Sequence, residues 1–264
     1  MSNSQSPHVD LQAMARQIML ERGFEPDFSS AVQQQLKQIR SQNPLLAASG
    51  SKNVRELRGL LWSSIDNDTS RDLDQIEVAE RQADGSVKVL VGIADVDAFV
   101  PKDTAIDDHA AKQTTSVYTG VRIFPMLPEE LSTGASSLLE TGNRLAMVTE
   151  FVAKTDGTVS GGTVYPAIVR NKAQLTYNAV GAWLEGKADA PPKVAASPDL
   201  QNQLRLQSGI AQALRKQRVE HGALNLDSNE IQPVFVDQQI VDVKKEERNF
   251  ATDLIEDFMI AANG

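Results

Sequence analysis

The chain has 264 residues, a length that allows one large domain or two small ones. It carries 26 Lys+Arg against 35 Asp+Glu, a net charge of −9, which excludes a purely electrostatic, histone-like nucleic-acid binder. Hydrophobic residues make up 41% of the sequence, enough for a folded core. The lack of cysteine excludes disulfide frameworks, thiolate zinc sites and cysteine nucleophiles. No long apolar run predicts a membrane span and no signal pattern opens the chain, so a cytoplasmic location is expected.

Residues 1–54 are predicted to form a helical leader followed by a linker. After residue 10, apolar residues recur with helical spacing, at Leu11, Met14, Ala15, Ile18 and Met19. A second helix is expected to begin at Ser29 or Ser30, and residues 41–53 are predicted to be a linker. The leader either guides a nucleic acid or a partner, or is a small helical cap on the main domain. The second interpretation is favoured.

From Arg55 onward the pattern changes to β-hairpins mixed with helices. Hairpins are predicted around three turns, at Asp84-Gly85, Asp156-Gly157 and residues 237–239. Helices are predicted over residues 104–113, 175–184, 201–220 and 249–262, with an exposed loop at 186–199. This mixture predicts an α+β fold in place of an alternating βαβ fold.

An acidic cluster between residues 64 and 77 is the most informative stretch. Its five carboxylates are Asp66, Asp68, Asp72, Asp74 and Glu77. Only Arg71 opposes them, so the cluster is costly unless cations or solvent neutralise it. Oxygen ligands of this kind suit Mg²⁺, Mn²⁺ or Ca²⁺. Asp72 and Asp74 point the same way in an extended chain, and a folded loop could return Asp66 to that side.

Three interpretations of this cluster stay open from the residues alone. The first is a solvated acidic loop. The second is an EF-hand calcium loop beginning at Asp66, although Arg71 stands where the sharp turn needs glycine and the following residues are strand-like. The third is a hydrolytic metal site that acts on phosphodiesters.

Several blocks of the surrounding chain favour the third interpretation. They are Arg55-Glu-Leu-Arg58, Ser64-Ile-Asp66, Arg71-Asp72-Leu-Asp74, Val91-Gly-Ile-Ala-Asp95, Thr115-Ser-Val-Tyr118, Ala173-Gln-Leu-Thr-Tyr177 and Leu254-Ile-Glu256. In order and spacing over residues 55–264 these blocks resemble the RNase II/RNase R (RNB) exoribonuclease family. The resemblance implies an RNB-type catalytic domain, a mixed antiparallel sheet or barrel with helices, that is incomplete at its C-terminus and follows the leader of residues 1–54.

The resemblance also implies an activity and its site. The activity is 3′→5′ hydrolysis of single-stranded RNA to nucleoside 5′-monophosphates with Mg²⁺, or Mn²⁺. Asp66, Asp72 and Asp74 match three of the family's four active-site aspartates and are the implied catalytic residues and metal ligands. Gln75 stands at the fourth position and offers an oxygen without a charge. Loss of Asp74 is expected to damage the chemical step most.

Two further positions are implied to bind the substrate. Tyr118 matches a tyrosine that stacks on the nucleotide at the 3′ end, an interaction that tolerates any base. The alternative for Tyr118 is a half-buried strand residue. Glu256 matches a carboxylate that contacts the terminal ribose, and the alternative is a solvated glutamate on a helix face. Leu226 takes the place of a second stacking aromatic.

One part of the family's machinery has no match in these residues. The family supplies a catalytic arginine from a downstream His-x-Thr-Ser-Pro-Ile-Arg-Arg block, and the 264 residues contain no such block. A C-terminal catalytic segment is therefore expected from a longer chain, and this chain alone is expected to be weak or inactive. A non-catalytic RNA-binding or regulatory remnant of the family is the alternative, favoured by Gln75 and Leu226.

Overall fold

The computed structural model describes residues 10–42, 44–140, 142–224, 231–236, 239–245 and 248–264. The chain divides into two compact units. Unit 1 comprises Met1–Gln42, Val100–Glu129 and Asn229–Glu246, and unit 2 comprises Asn43–Phe99, Glu130–Ser228 and Glu247–Gly264.

Helices and strands follow one another in a mixed order. In chain order they are α1 (Leu11–Glu21), α2 (Ser30–Gln42), α3 (Pro44–Ala48), β1 (Arg55–Glu56), β2 (Ser63–Asp66), β3 (Gln75–Arg81), β4 (Val87–Ala94), α4 (Ala105–Gln113), β5 (Val117–Tyr118), β6 (Ile123–Phe124), a π-helical turn (Glu130–Ala135), β7 (Arg144–Ala153), β8 (Val159–Val169), β9 (Ala173–Thr176), α5 (Tyr177–Leu184), α6 (Pro192–Ala195), α7 (Pro198–Glu220), β10 (Ile231–Val236), β11 (Gln239–Lys245) and α8 (Phe250–Asn263).

In unit 1 the leader helices are attached to the segment around α4. The Gln35 side chain on α2 donates to Thr104 Oγ1 at 2.9 Å and accepts from the Ile106 backbone N–H at 2.9 Å. The Gln113 side chain accepts from the Glu25 backbone N–H at 2.8 Å. These bonds satisfy backbone N–H groups of two segments, and they tie the leader to residues well beyond position 54.

Unit 2 is built on a seven-stranded mixed sheet in the order β1-β8-β7-β4-β3-β2-β9. The hairpins β3–β4 and β7–β8 form its antiparallel centre together with the β4–β7 pair. The first and last strands of the order, β1 and β9, each pair in parallel with their neighbour. The predicted α+β class and both Asp-Gly hairpins are confirmed.

The sheet of unit 2 is covered on both faces, because alternate side chains along its strands enter two separate cores. One core contains Val89 together with Leu204 of α7 and Phe258 of α8. The other contains Trp62, Leu73, Ile76, Leu138 and Val148. The loop that carries the acidic cluster connects β2 to β3 of this sheet, and both faces of the sheet are covered.

Two predicted irregular segments contain short helices. The predicted linker over residues 41–53 contains α3 and the predicted loop over residues 186–199 contains α6. Each of these helices begins at a proline, whose restricted φ suits the first turn of a helix. Helix α7 likewise begins at Pro198, earlier than predicted, and the Ser197 side chain accepts from the Leu200 backbone N–H as its N-cap. The turn residues 237–238 of the third predicted hairpin lie outside the described residues, although its strands are present as β10 and β11.

Two further expectations concern a calcium-binding loop and a membrane-spanning helix. The acidic cluster leads into β3 and not into the exit helix that an EF-hand requires, so the calcium-loop interpretation is wrong. Among the described residues no helix is both long and apolar enough to cross a bilayer. The cytoplasmic location stays a prediction.

Candidate active site

Asp66 ends β2 and organises the turn that follows it. Its Oδ1 accepts hydrogen bonds from the Asn67 backbone N–H at 2.7 Å and from Ser70 Oγ at 2.8 Å. The Ser70 backbone N–H donates to the Asn67 carbonyl at 3.1 Å. The half-buried carboxylate is therefore oriented by its own loop, which is a typical role of Asp in turns.

The backbone that carries Asp72 and Asp74 is held by one distant serine. Ser137 Oγ accepts from the Leu73 backbone N–H at 2.9 Å and donates to the Arg71 carbonyl at 2.8 Å. The Leu73 side chain between the two aspartates is fully buried. The two acidic side chains are thus presented by a segment that is anchored at its middle residue.

The backbone of Asp74 is also paired with the neighbouring strand β4. Its carbonyl accepts from the Ala94 backbone N–H at 2.9 Å, just before the Gln75↔Ile93 pair of the β3–β4 ladder. The Gln75 Nε2 donates to the Ile65 carbonyl at 3.3 Å. That leaves Gln75 Oε1 as the atom of this side chain that could contact a cation.

Asp74 is the aspartate of this group whose protonation is altered by its surroundings. The pKa of Asp74 is raised to about 6, mainly because the surrounding protein removes water from its carboxyl group, and further by the charges of Asp72 and Asp66. Asp74 nevertheless keeps an exposed surface. The charges of Asp66 and Asp72 therefore act on Asp74, and the joint role of the three carboxylates stays a prediction.

Glu77 is a fourth acidic side chain in this region, and it is buried. The residue is 1% exposed, and burial, followed by the charge of Asp66, raises the pKa of its carboxyl well above the usual range. Its Oε1 is buried without a hydrogen-bond partner among the described residues. The sequence placed Glu77 in the acidic cluster and gave no sign of its burial.

The described residues contain no group of three or more His, Asp or Glu side chains arranged to hold a metal ion together. The donors present are nevertheless chemically suited to Mg²⁺, which in enzymes is commonly bound by one or two carboxylates, with waters and substrate phosphates completing its shell. A cation would also offset the negative charges of Asp72 and Asp66, which add to the effect of burial on the Asp74 pKa. Asp66, Asp72, Asp74 and the Gln75 amide oxygen therefore fit such a site, and their role as ligands stays a prediction.

Tyr118 belongs to unit 1, whereas the aspartates belong to unit 2. It lies in the short hairpin formed by β5 and β6, opposite Ile123. The residue is 64% exposed, so it is a strand tyrosine but not the half-buried one considered as the alternative. An exposed ring can stack on a base, and this role stays a prediction. Leu226 lies outside the described residues.

Glu256 lies on α8 within a network of charged side chains, and so is not merely solvated. Arg248 donates to its Oε2, and Arg215 Nη2 lies 3.4 Å from the same oxygen. The neighbouring carboxylate of Asp257 is 1% exposed and accepts from Arg218. Glu256 is thus a carboxylate whose orientation is set by two arginines, and its predicted contact with a ribose is untested.

Two polar residues that position the site were missed by the sequence interpretation. Ser137 is one, and Asn171 is the other: its Nδ2 donates to Ser64 Oγ on β2 and to the Leu138 carbonyl, both at 2.9 Å. Both residues are buried. Asn171 stands between Arg170 and Lys172, and Ser137 follows Ser136, so no local pattern in the sequence marks either residue.

Comparison with known proteins identifies the family of this chain. The RNB domain family matches residues 54–264. Ribonuclease R of Escherichia coli is 33% identical over 234 residues, covering 88% of this chain and 28% of that protein. Ribonuclease R of Thermotoga maritima is 33% identical over 230 residues, covering 85% of this chain and 32% of that protein.

A solved structure shares the architecture. The structure of Mycoplasma genitalium RNase R in complex with ribose-methylated single-stranded RNA superposes with a TM-score of 0.85 at 25% sequence identity, covering 96% of this chain and 38% of that one. The chain thus spans roughly a third or less of the length of the curated relatives it matches. By the family match over residues 54–264, this chain belongs to the RNB domain family.

Proposed function

We propose that this chain carries the metal-binding part of an exoribonuclease active site that degrades single-stranded RNA in the 3′→5′ direction to nucleoside 5′-monophosphates. The observation that carries the proposal is that the charges of Asp72 and Asp66 act on Asp74, whose pKa is raised first by burial and further by these two carboxylates. Family membership supplies the reaction class, and the shared architecture with an RNA complex supports RNA as the substrate.

The proposed metal is Mg²⁺, with Mn²⁺ as a substitute, held by Asp66, Asp72, Asp74 and the Gln75 amide oxygen. When bound, a divalent cation stabilises negative charge on a phosphodiester and makes a bound water more acidic. Asp74 is the most important ligand, because its carboxyl group is partly shielded from water and its backbone is held by the hydrogen bond from the Ala94 N–H to the Asp74 carbonyl. Above about pH 6 it is ionised and able to bind a cation.

Each remaining residue has a defined part in the proposal. Ser137 holds the backbone of the loop that presents Asp72 and Asp74. The exposed ring of Tyr118 stacks on a base near the 3′ end, a contact worth about 1–3 kcal/mol. Glu256, oriented by Arg215 and Arg248, accepts a hydrogen bond from the terminal ribose.

A C-terminal segment supplying a catalytic arginine is the missing partner in this proposal. Developing charge on the phosphate needs a cationic group in the transition state, and the family's downstream block is not present in these residues. The 264-residue chain by itself is therefore proposed to bind the metal and RNA but to cleave weakly or not at all.

The experiment measures metal uptake and cleavage separately. Isothermal titration of the chain with MgCl₂ and MnCl₂ is compared between the wild type and Asp74→Asn. The matched control is Asp68→Asn, a carboxylate of the same loop that accepts a hydrogen bond from Asn178. Binding lost in Asp74→Asn but kept in Asp68→Asn supports the proposal. No uptake of either ion, even when the C-terminal segment is supplied, contradicts it.

Cleavage is followed with 5′-labelled single-stranded RNA and Mg²⁺. Little or no product is expected from the chain alone. When the C-terminal segment is added, the RNA should be shortened processively from its 3′ end, which gives a ladder of products. A strong ladder from the chain alone would contradict the proposed need for that segment.

A non-catalytic RNA-binding role is the second candidate, and the Gln75 side chain favours it. Its Nε2 is committed to the Ile65 carbonyl, so this position contributes to backbone support and adds no charge. RNA binding that is unchanged in Asp74→Asn, together with no cleavage by the complete protein, would favour this candidate. Both candidate functions predict that Tyr118→Ala loses RNA binding and that Tyr118→Phe keeps it.

A further inference from the structure

A cleft of about 550 Å³ lies in unit 2 at the far end of β3 from the aspartates. Its volume is in the range of small-ligand sites. The strand runs from Gln75 to Arg81, and at about 3.3 Å per residue Arg81 lies roughly 20 Å from Gln75. The cleft is therefore a separate place on the sheet from the proposed metal site.

Two arginines from different elements line this cleft, Arg81 at the end of β3 and Arg205 on α7. Both are exposed, and within the described residues neither makes an ion pair with a carboxylate. Other arginines of this unit, such as Arg215 and Arg218, are paired with acidic side chains. In a chain of net charge −9, two unpaired guanidinium groups on one cleft are a local positive site.

Arg205 is also held in position by an aromatic ring. Its guanidinium carbon lies 5.0 Å from the centre of the Trp183 ring, a cation–π contact. This contact restricts the side chain while its N–H groups stay able to donate. A planar guanidinium with a restricted orientation loses little entropy when it binds a phosphate.

The floor of the cleft combines polar and apolar side chains. Gln203 is 7% exposed, and its Nε2 donates to the Leu61 carbonyl at 2.8 Å, which joins α7 to the segment before β2. Leu61 and Ala79 contribute the apolar surface, and the Asn202 side chain is an additional polar group. Asp199 also lines the cleft and opposes an anion, so the site keeps one net positive charge.

We propose that this cleft binds the phosphate group of a nucleotide through Arg81 and Arg205, with the base against the side chains of Leu61 and Leu206. The nucleotide is either part of an RNA strand or a free nucleoside 5′-monophosphate, since both present the same group. Arginine forks recognise phosphate oxygens with paired charge-assisted hydrogen bonds. The site uses none of Asp66, Asp72 and Asp74, so it does not depend on the proposed exoribonuclease chemistry.

The test measures binding by the 264-residue chain in EDTA, so that neither cleavage nor a bridging cation contributes. The probes are a short fluorescein-labelled oligouridylate, followed by anisotropy, and adenosine 5′-monophosphate, followed by calorimetry. Arg81→Gln and Arg205→Gln are each expected to weaken binding about tenfold. Each should also make the salt dependence of RNA binding shallower by about 0.7 in log–log slope.

Two variants act as controls on the role of charge. Lys216→Gln removes one positive charge from an exposed position on the same helix as Arg205 and is expected to leave binding unchanged. Asp199→Asn removes the opposing carboxylate and is expected to tighten binding about threefold.

The outcomes separate the two sources and decide the proposal. Weakened binding of RNA alone assigns the cleft to a strand, and weakened binding of both probes assigns it also to the free nucleotide. The proposal is overturned if the wild type binds neither probe, if the two arginine variants bind as the wild type does, or if Lys216→Gln is equally impaired. Metal binding at Asp74 stays intact in either case, so the two proposals fail independently.

Discussion

The Leu73 backbone N–H donates to Ser137 Oγ at 2.9 Å, although 64 positions separate the two residues in sequence. The same hydroxyl donates to the Arg71 carbonyl at 2.8 Å. A single side chain therefore satisfies a donor and an acceptor of the backbone that presents Asp72 and Asp74. The position of these carboxylates depends on a residue outside the acidic cluster.

Ser137→Ala is expected to loosen this loop. It leaves a backbone N–H and a carbonyl without their partner, at a cost of about 1–3 kcal/mol in the free energy of unfolding. It should also weaken Mg²⁺ binding, measured by calorimetry, because Asp72 and Asp74 lose their common support.

Ser136→Ala is the matched control for that prediction. Ser136 is also buried, but its Oγ donates to the Leu131 carbonyl and makes no hydrogen bond to the loop. Ser136→Ala is expected to lower stability without changing Mg²⁺ affinity. Equal losses of affinity in the two variants would show that Ser137 has no special role in the site.

Asp74→Asn is expected to stabilise the metal-free protein at neutral pH. The Asp74 pKa is about 6 in the folded protein against 3.8 in a model peptide, so the folded state binds this proton more tightly. The contribution of this bound proton to the free energy of unfolding is complete below about pH 4 and is lost as the pH rises through about 6. At pH 7.5 in EDTA the variant should unfold about 2–4 °C higher, a value reduced for solvent screening.

The pH dependence shows whether the gain in unfolding temperature comes from removal of the Asp74 charge. At pH 4 the gain in unfolding temperature should disappear, because the wild-type carboxyl is then neutral as well. Addition of Mg²⁺ at pH 7.5 should stabilise the wild type and not the variant. A gain of the same size at both pH values would mean that charge repulsion is not its cause.

The local parts of the structure were predictable from the sequence, and the long-range parts were not. The Asp-Gly hairpins follow from residues within a few positions of one another, and so does the effect of the Asp72 charge on Asp74. The contact of Asn171 with Ser64 spans 107 positions, and no local pattern reports it. The positions of the candidate site residues depend on such long-range contacts.

Glu77 shows how packing overrides a local pattern. It alternates with the buried Ile76 and Val78 along β3, a pattern that normally places the charged residue in solvent. In this sheet the opposite face is covered as well, by α7 and α8, so Glu77 is buried. The sequence does not reveal that the second face is covered, because the covering helices lie more than 100 residues away.

Arg218→Gln is expected to destabilise the protein through the buried carboxylate of Asp257. That residue is 1% exposed and is paired with Arg218 and with Arg215 Nε at 3.2 Å. Removal of one of two cations should lower the free energy of unfolding by about 2–3 kcal/mol, less than the loss of a sole partner. Urea denaturation measures the change.

Lys216→Gln on the same helix is the control for that loss. Its side chain is mostly exposed and lies 3.9 Å from Glu220, so its loss should change stability by less than about 0.5 kcal/mol. Comparable losses in both variants would point to a general effect of charge on α7.

Gln75→Asp tests whether position 75 faces the proposed cation. A fourth carboxylate should tighten Mg²⁺ binding several-fold, since hard cations gain affinity from added anionic oxygens. Without metal it should lower the unfolding temperature at pH 7.5, because another negative charge is added beside Asp74. Gln75→Asn is the matched control, since it also shortens the side chain and alters the bond to the Ile65 carbonyl. If both variants bind Mg²⁺ alike, the side chain at position 75 does not contact the ion, and the site rests on Asp66, Asp72 and Asp74 alone.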